Sequence, residues 1–285
     1  MHLTTYLTPD DFLHDTRSDL MRNEAANNLL LGLALRIKAK PDRFKGQPYF
    51  ATVIADGKLQ AAALMTPPSR LIAFSPLADS TVVFELIAHD LKVRETSVSG
   101  VSGQPDAALA FAEAWKKVSG VEHRLNLSGR AYELRQVSPP PTIPGRLRVA
   151  AADDVELIAK RLYEFQHEAL HGGITDDEAR EIARFRIGDS DVFVWEDGQP
   201  ASMAIRSRPT YTGISIGSVY TPPGLRGRGY ASACVASLSQ LCLDSGYKFC
   251  MLFTDLANPT SNGIYQKMGY KPVGDYREYI FFEES

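Results

Sequence analysis

The chain has 285 residues, 44% of them apolar and 23% charged, with 31 Lys and Arg against 34 Asp and Glu for a formal net charge of −3. That composition suits one large globular domain or two of ordinary size, and it excludes a global electrostatic pull toward nucleic acid or an anionic membrane. Its longest apolar patch, Leu29 to Leu35, is far too short to span a bilayer. Met1-His-Leu-Thr-Thr lacks the basic and apolar regions of a secretory leader. The three cysteines, Cys234, Cys242 and Cys250, are odd in number and clustered. They read as small buried hydrophobes in a reducing, cytoplasmic setting, not as a disulfide framework or a metal site.

In chain order, Thr8 caps a first helix with acids in its first turn. Helical periodicity then runs with interruptions through Leu20, Met21, Leu29, Leu33 and Ile37. Tyr49 to Ala55, Asp56-Gly57 and Leu59 to Met65 read as a hairpin, and Leu71 to Phe74 as a third strand. A helix is expected after Asp79, a strand over 97–101, a helix over 106–118 and extended chain over 125–137. Ser138-Pro-Pro-Pro-Thr-Ile-Pro-Gly145 can continue neither helix nor sheet, so it is a semi-rigid linker.

The same grammar restarts after the linker. Arg146 to Val149 is a short strand, followed by a helix over 153–170. A second helix, over 175–187, opens with the capping box Thr175-Asp-Asp-Glu178. Val192 to Trp195, Asp197-Gly198 and Pro200 to Arg206 repeat the hairpin, and Gly213 to Tyr220 is a β-branched strand. A helix bearing Ala231, Cys234, Val235, Leu238, Leu241 and Cys242 at helical spacing follows. Strand 249–253, a short helix punctuated by Asn258, Pro259 and Gly269, and a strand over 271–282 complete the chain.

Between strand 213–220 and the long helix lies Thr221-Pro-Pro-Gly-Leu-Arg-Gly-Arg-Gly-Tyr-Ala231. Backbone N–H groups at a helix start, aided by the helix dipole, form an anion site. Gly227 and Gly229 let that backbone approach a ligand, while Arg226 and Arg228 bring forked donors suited to phosphate. The spacing is neither that of a P-loop nor that of a dinucleotide fold. Arg226-x-x-Gly229-x-Ala231 resembles the pyrophosphate loop of the GNAT superfamily of acyl-CoA-dependent N-acetyltransferases. Asn258-Pro-Thr-Ser-Asn-Gly-Ile-Tyr-Gln-Lys-Met-Gly-Tyr270 resembles that family's closing segment.

The resemblance implies an α/β (α+β) fold with two GNAT-like domains, each a mixed central sheet flanked by helices. Residues 1–138 are expected to form a diverged, non-catalytic copy, 139–145 the linker, and 146–285 the catalytic domain. This rests on element order, because Ser75-Pro-Leu-Ala-Asp79 stands where a phosphate loop would be and carries neither glycine nor arginine. The matching later helix of the first half has Phe111 and Trp115 but no tyrosine. Gly100-Val-Ser-Gly103 reads as an ordinary strand-to-helix turn.

The resemblance further implies acetyl transfer from acetyl-CoA to a primary amine by direct attack, with no metal. Arg226, Gly227, Arg228, Gly229, Tyr230 and Ala231 would hold the pyrophosphate. Val219, Tyr220 and Thr221 would pair with the pantetheine arm, Asn258 would lie near it, and Tyr265 would protonate the leaving thiolate. The strand 214–220 has no glutamate to serve as base. Glu164, His167, Glu168 and His171 mark a substrate-contacting helical region, with Glu196 a further carboxylate at the hairpin. His167 and His171 share one helical face if that helix persists, but a third metal ligand is not evident. A small-molecule amine is the expected partner, nucleic acid and membrane are not, and a homodimer is compatible with this reading. A non-catalytic acyl-CoA-binding or regulatory module and a protein or peptide acetyltransferase stand as alternatives.

Overall fold

The computed structural model describes residues 1–44, 46–138, 140, 142–169 and 173–284. The first half runs β1 (His2–Tyr6), α1 (Pro9–Leu20), α2 (Asn28–Ala39), β2 (Tyr49–Ala55), β3 (Lys58–Met65), β4 (Leu71–Phe74), α3 (Thr81–Val93), β5 (Gly100–Gly103), α4 (Pro105–Ser119) and β6 (Glu122–Leu134). The second runs β7 (Arg146–Val149), α5 (Val155–Ala169), α6 (Asp176–Gly188), β8 (Val192–Asp197), β9 (Gln199–Ser207), β10 (Gly213–Tyr220), α7 (Tyr230–Asp244), β11 (Phe249–Asp255), α8 (Pro259–Lys267) and β12 (Lys271–Phe282).

Local chemistry sets several of these boundaries. Thr8 Oγ1 accepts from the Asp11 N–H at 3.2 Å, and Thr175 with Glu178 forms a reciprocal capping box. Asp56 and Gly57 both take positive φ, at 52° and 69°, as the tight β2–β3 turn requires. The strand β1 was not expected. It is short and largely polar, and pairs antiparallel with β2 at the sheet edge, where little apolar signal is needed.

All twelve strands form one sheet in the order β1-β2-β3-β4-β5-β12-β6-β11-β10-β9-β8-β7. Read from either end, it shows the same pattern. Each half has a four-stranded antiparallel run, β1-β2-β3-β4 and β7-β8-β9-β10, then a parallel pair, β4 with β5 and β10 with β11. At the centre the final strands are exchanged. The strand β12 of the second half lies between β5 and β6 of the first, and β6 lies between β11 and β12 of the second. The sequence boundary after β6 is therefore not a boundary of the sheet, and each half is completed by the other's last strand.

Helices cover both faces. Cores form under α1 and α2, under α3 and α4, under α5 and α6, and under α7. The halves also meet above the sheet. Glu24 accepts from the Thr212 N–H at 2.7 Å and hydroxyl at 2.6 Å, and Lys40 and Arg43 hold Asp189. Gly32 of α2 is a packing requirement, since a Cβ there would lie 2.8 Å from that of Arg208.

Candidate active site

Parallel β10 and β11 release the chain at the same edge of the sheet, so the loop after β10 and the helix after β11 emerge side by side. The two strands pair only from Gly213↔Phe249 to Ser215↔Met251. Beyond that register their remaining residues, through Tyr220 and Asp255, have no ladder between them. A bulge between Gly217 and Tyr220 places one extra residue opposite β9, with Ser218 at φ +48°. The outcome is a cleft in the sheet where the last residues of β10, through Tyr220, part from β11.

The loop that follows β10 leaves a run of backbone N–H groups free. The N–H groups of Leu225 and Arg226 are taken by Pro222 and Pro223. From Gly227 to Ser232, no backbone N–H has an acceptor among the described residues, the first later bond being Ala233 to Gly229. Gly227 and Gly229 adopt φ of +76° and +81°, which a side chain would strain, and Gly229 is the N-cap of α7. A Cβ on Gly227 would meet nothing within 4 Å, so the space over the loop is open.

The side chains of the loop behave differently from expectation. Arg226 was expected to offer its guanidinium to phosphate. It is instead held by Glu168, with contacts of 2.7 and 2.8 Å, donates to the Thr221 carbonyl, and lies over the Tyr220 ring. The guanidinium keeps the Glu168 carboxyl below its usual range. Tyr220 packs into the core under α5 and α6, and Tyr230 turns its hydroxyl to Asp197 at 2.6 Å.

Tyr265 lies in α8, half-buried against the core under α7, with its ring edge-on to Tyr270 at 5.9 Å. Its hydroxyl has no hydrogen-bond partner among the described residues. Burial, with the Cys234 thiol nearby, pushes its pKa up to about 12, so the phenol keeps its proton at neutral pH. Asn258 caps α8 by accepting from the Ser261 N–H at 3.0 Å. Its side chain is thus engaged locally.

The group expected to contact substrate lies on α5, apart from His171. Glu164 is half-buried, with Lys160 3.9 Å away, and Glu168 is tied to the loop. His167 is exposed, its ring stacked 4.0 Å from that of Tyr163. His171 lies outside the described residues. Glu196 is held by Arg146 and Arg148 at the β7–β8 edge, which lowers its pKa and removes it as a base. The three cysteines are buried thiols. Among the described residues no three His, Cys, Asp or Glu side chains gather as a metal site, and no helix is long and apolar enough to cross a membrane.

Sequence reasoning missed two groups. Arg161 of α5 is 3% exposed and donates to the Pro200 carbonyl, while its Nε and Nη1 lack partners. Asn262 is a hub: its Oδ1 accepts from Tyr132 at 2.9 Å and Thr254 at 2.5 Å, and its Nδ2 donates to the carbonyls of Asp255 and Asn258. Neither carries a spacing signal, because both partner sets are distant in sequence or fixed only by the fold.

A profile of the acetyltransferase (GNAT) family matches residues 159–270, which contain α6, the cleft strands, the loop and Tyr265. No curated protein sequence matches the chain. Solved structures similar in fold over nearly the whole chain include a Drosophila protein at 12% identity, covering 97% of this chain and 96% of that one with a TM-score of 0.70. A GCN5-related N-acetyltransferase from Sphaerobacter thermophilus is 16% identical, covers 97% and 94%, and gives a TM-score of 0.60. A tandem GNAT protein from the clavulanic acid biosynthesis pathway is 14% identical, with coverage of 99% and 98% and a TM-score of 0.58.

Proposed function

We propose that the second half of the chain, which the GNAT family profile matches over residues 159–270, transfers the acetyl group of acetyl-CoA to a primary amine of a small molecule. The observation that carries the reading is the run of unpaired N–H groups from Gly227 to Ser232 at the start of α7, with Tyr265 of α8 packed against the core under that helix. Those groups and the helix dipole suit the pyrophosphate. The end of β10 around Val219, which has no ladder with β11, and the following Thr221 suit the amides of the pantetheine arm, as an added strand would.

Acetyl-CoA supplies an activated thioester carbonyl. The amine nitrogen bonds to that carbon, the C–S bond breaks, and the sulfur leaves as a thiolate. Tyr265, neutral and unpartnered, gives it a proton. The attacking amine loses its proton to water, since β10 has no glutamate and Glu168 and Glu196 are held by arginines. Holding both reactants in one cleft accounts for much of the acceleration, because effective molarities of oriented groups are very large.

The test is calorimetric titration of the wild type and of Gly229→Glu with acetyl-CoA. Wild type is expected to bind one equivalent, and the variant none, because the substitution puts bulk and negative charge at a positive-φ position in the cradle. Absence of binding by the wild type would overturn the reading.

A further inference from the structure

The exchanged strand β6 brings a residue of the first half into the second. Tyr132 is 1% exposed and packs in the core under α7, opposite Leu252 of β11. Its hydroxyl donates to Asn262 Oδ1 at 2.9 Å and accepts from Gln266 Nε2 at 3.2 Å. These are the residues three before and one after Tyr265, one helical turn apart on α8. Asn262 is also bound to Thr254 and to the Asp255 carbonyl at the end of β11. The helix α8 has nine residues, none of them fully buried, so apolar packing alone fixes it weakly.

The corresponding helix of the first half is held in another way. There α4 has fifteen residues and meets the exchanged strand through Phe111 and Trp115 against Phe281, with ring centroids 6.3 Å apart. Where the fold needs only cohesion, the contact is aromatic. Where α8 carries Tyr265, the contact is a directional hydrogen-bond pair across the exchange.

We propose that Tyr132 is a positioning residue for the acetyl-transfer site, fixing α8 through Asn262 and Gln266 so that the Tyr265 hydroxyl is held at the leaving sulfur. This deepens the function proposed above and rests on it. The first half thereby contributes to turnover through the side chain of Tyr132. Asn262 and Gln266 are its agents, and neither touches the reacting atoms.

Two measurements on the full chain test this. Amide hydrogen exchange over residues 259–267 is compared between wild type and Tyr132→Phe, which keeps the ring and removes one hydroxyl. Faster exchange confined to that helix is expected, and unchanged exchange would overturn the proposal whatever the reaction. Acetyl transfer to a panel of primary amines is then measured in wild type, Tyr132→Phe, Tyr265→Phe and the double variant. Loss of one buried hydrogen-bond pair is expected to lower kcat about fivefold in Tyr132→Phe, with the acetyl-CoA Kd unchanged. It is expected to cause no further loss in the Tyr265→Phe background. An equal loss in both backgrounds would make Tyr132 merely structural and overturn the proposal. Full activity of Tyr265→Phe would instead overturn Tyr265 as the acid, and with it the role given to Tyr132.

Discussion

The two halves begin their third helices, α3 and α7, in opposite electrostatic conditions. In the second half, the N–H groups ahead of α7 are open, two glycines take positive φ, and the preceding strand is bulged and separates from its parallel neighbour. In the first half, β4 stops at Phe74 without a bulge, and the Thr81 N–H at the start of α3 is taken by Asp79 Oδ1 at 3.0 Å. Those backbone contacts hold the Asp79 carboxyl below its usual range. The first half thus carries its own anion where the second leaves room for one. The same topology yields a site or a closed turn according to six or so residues after the fourth strand.

The largest expected effect falls on Tyr265, the proposed acid. Tyr265→Phe should lower kcat about a hundredfold or more while leaving acetyl-CoA affinity unchanged, as measured by steady-state kinetics beside calorimetry. Next is the pH profile. The Tyr265 phenol, raised to about 12, is protonated below that pH, so kcat should rise as the amine deprotonates and show no tyrosine-linked fall up to pH 10. A fall below pH 10 that disappears in Tyr265→Phe would break the assignment.

Glu168→Gln should act in the opposite direction. It removes a carboxylate from the cradle and frees Arg226 to meet phosphate, so acetyl-CoA should bind about two- to fivefold more tightly, the scale of one exposed ion pair. Smallest is the matching change in the first half. Asp79→Asn should leave acetyl-CoA stoichiometry and kcat unaltered and lower the melting temperature slightly. Because folding depresses the Asp79 pKa, its contribution is present above the unfolded carboxylate pKa and lost as pH falls through the folded value. The wild-type and variant melting curves should therefore converge in acid.

Much of this was legible in the residues. Both hairpins, the capping box at Thr175, strand 213–220 and the two motifs around Gly229 and Tyr265 announce themselves locally, through turn chemistry, periodicity and glycine placement. The strand β1 did not, because an edge strand such as His2–Tyr6 buries too little to need an apolar pattern. The Arg226–Glu168 pair was also hidden, since a charged side chain at a surface loop gives no sign of which partner folding will supply. Asn262 and Tyr132 are far apart in sequence and meet only through the strand exchange, which no local pattern encodes.

That exchange also sets an order of events during synthesis. A chain emerging from the ribosome reaches the end of β6 with the first half's sheet still missing the strand that pairs with β5, because Val101 must wait for Tyr279. The early half therefore carries an open interior edge through the making of the whole second half, and β6 finds both of its neighbours, β11 and β12, only in the last stretch of chain. The two repeats cannot mature one after the other. They close together, at the final strand.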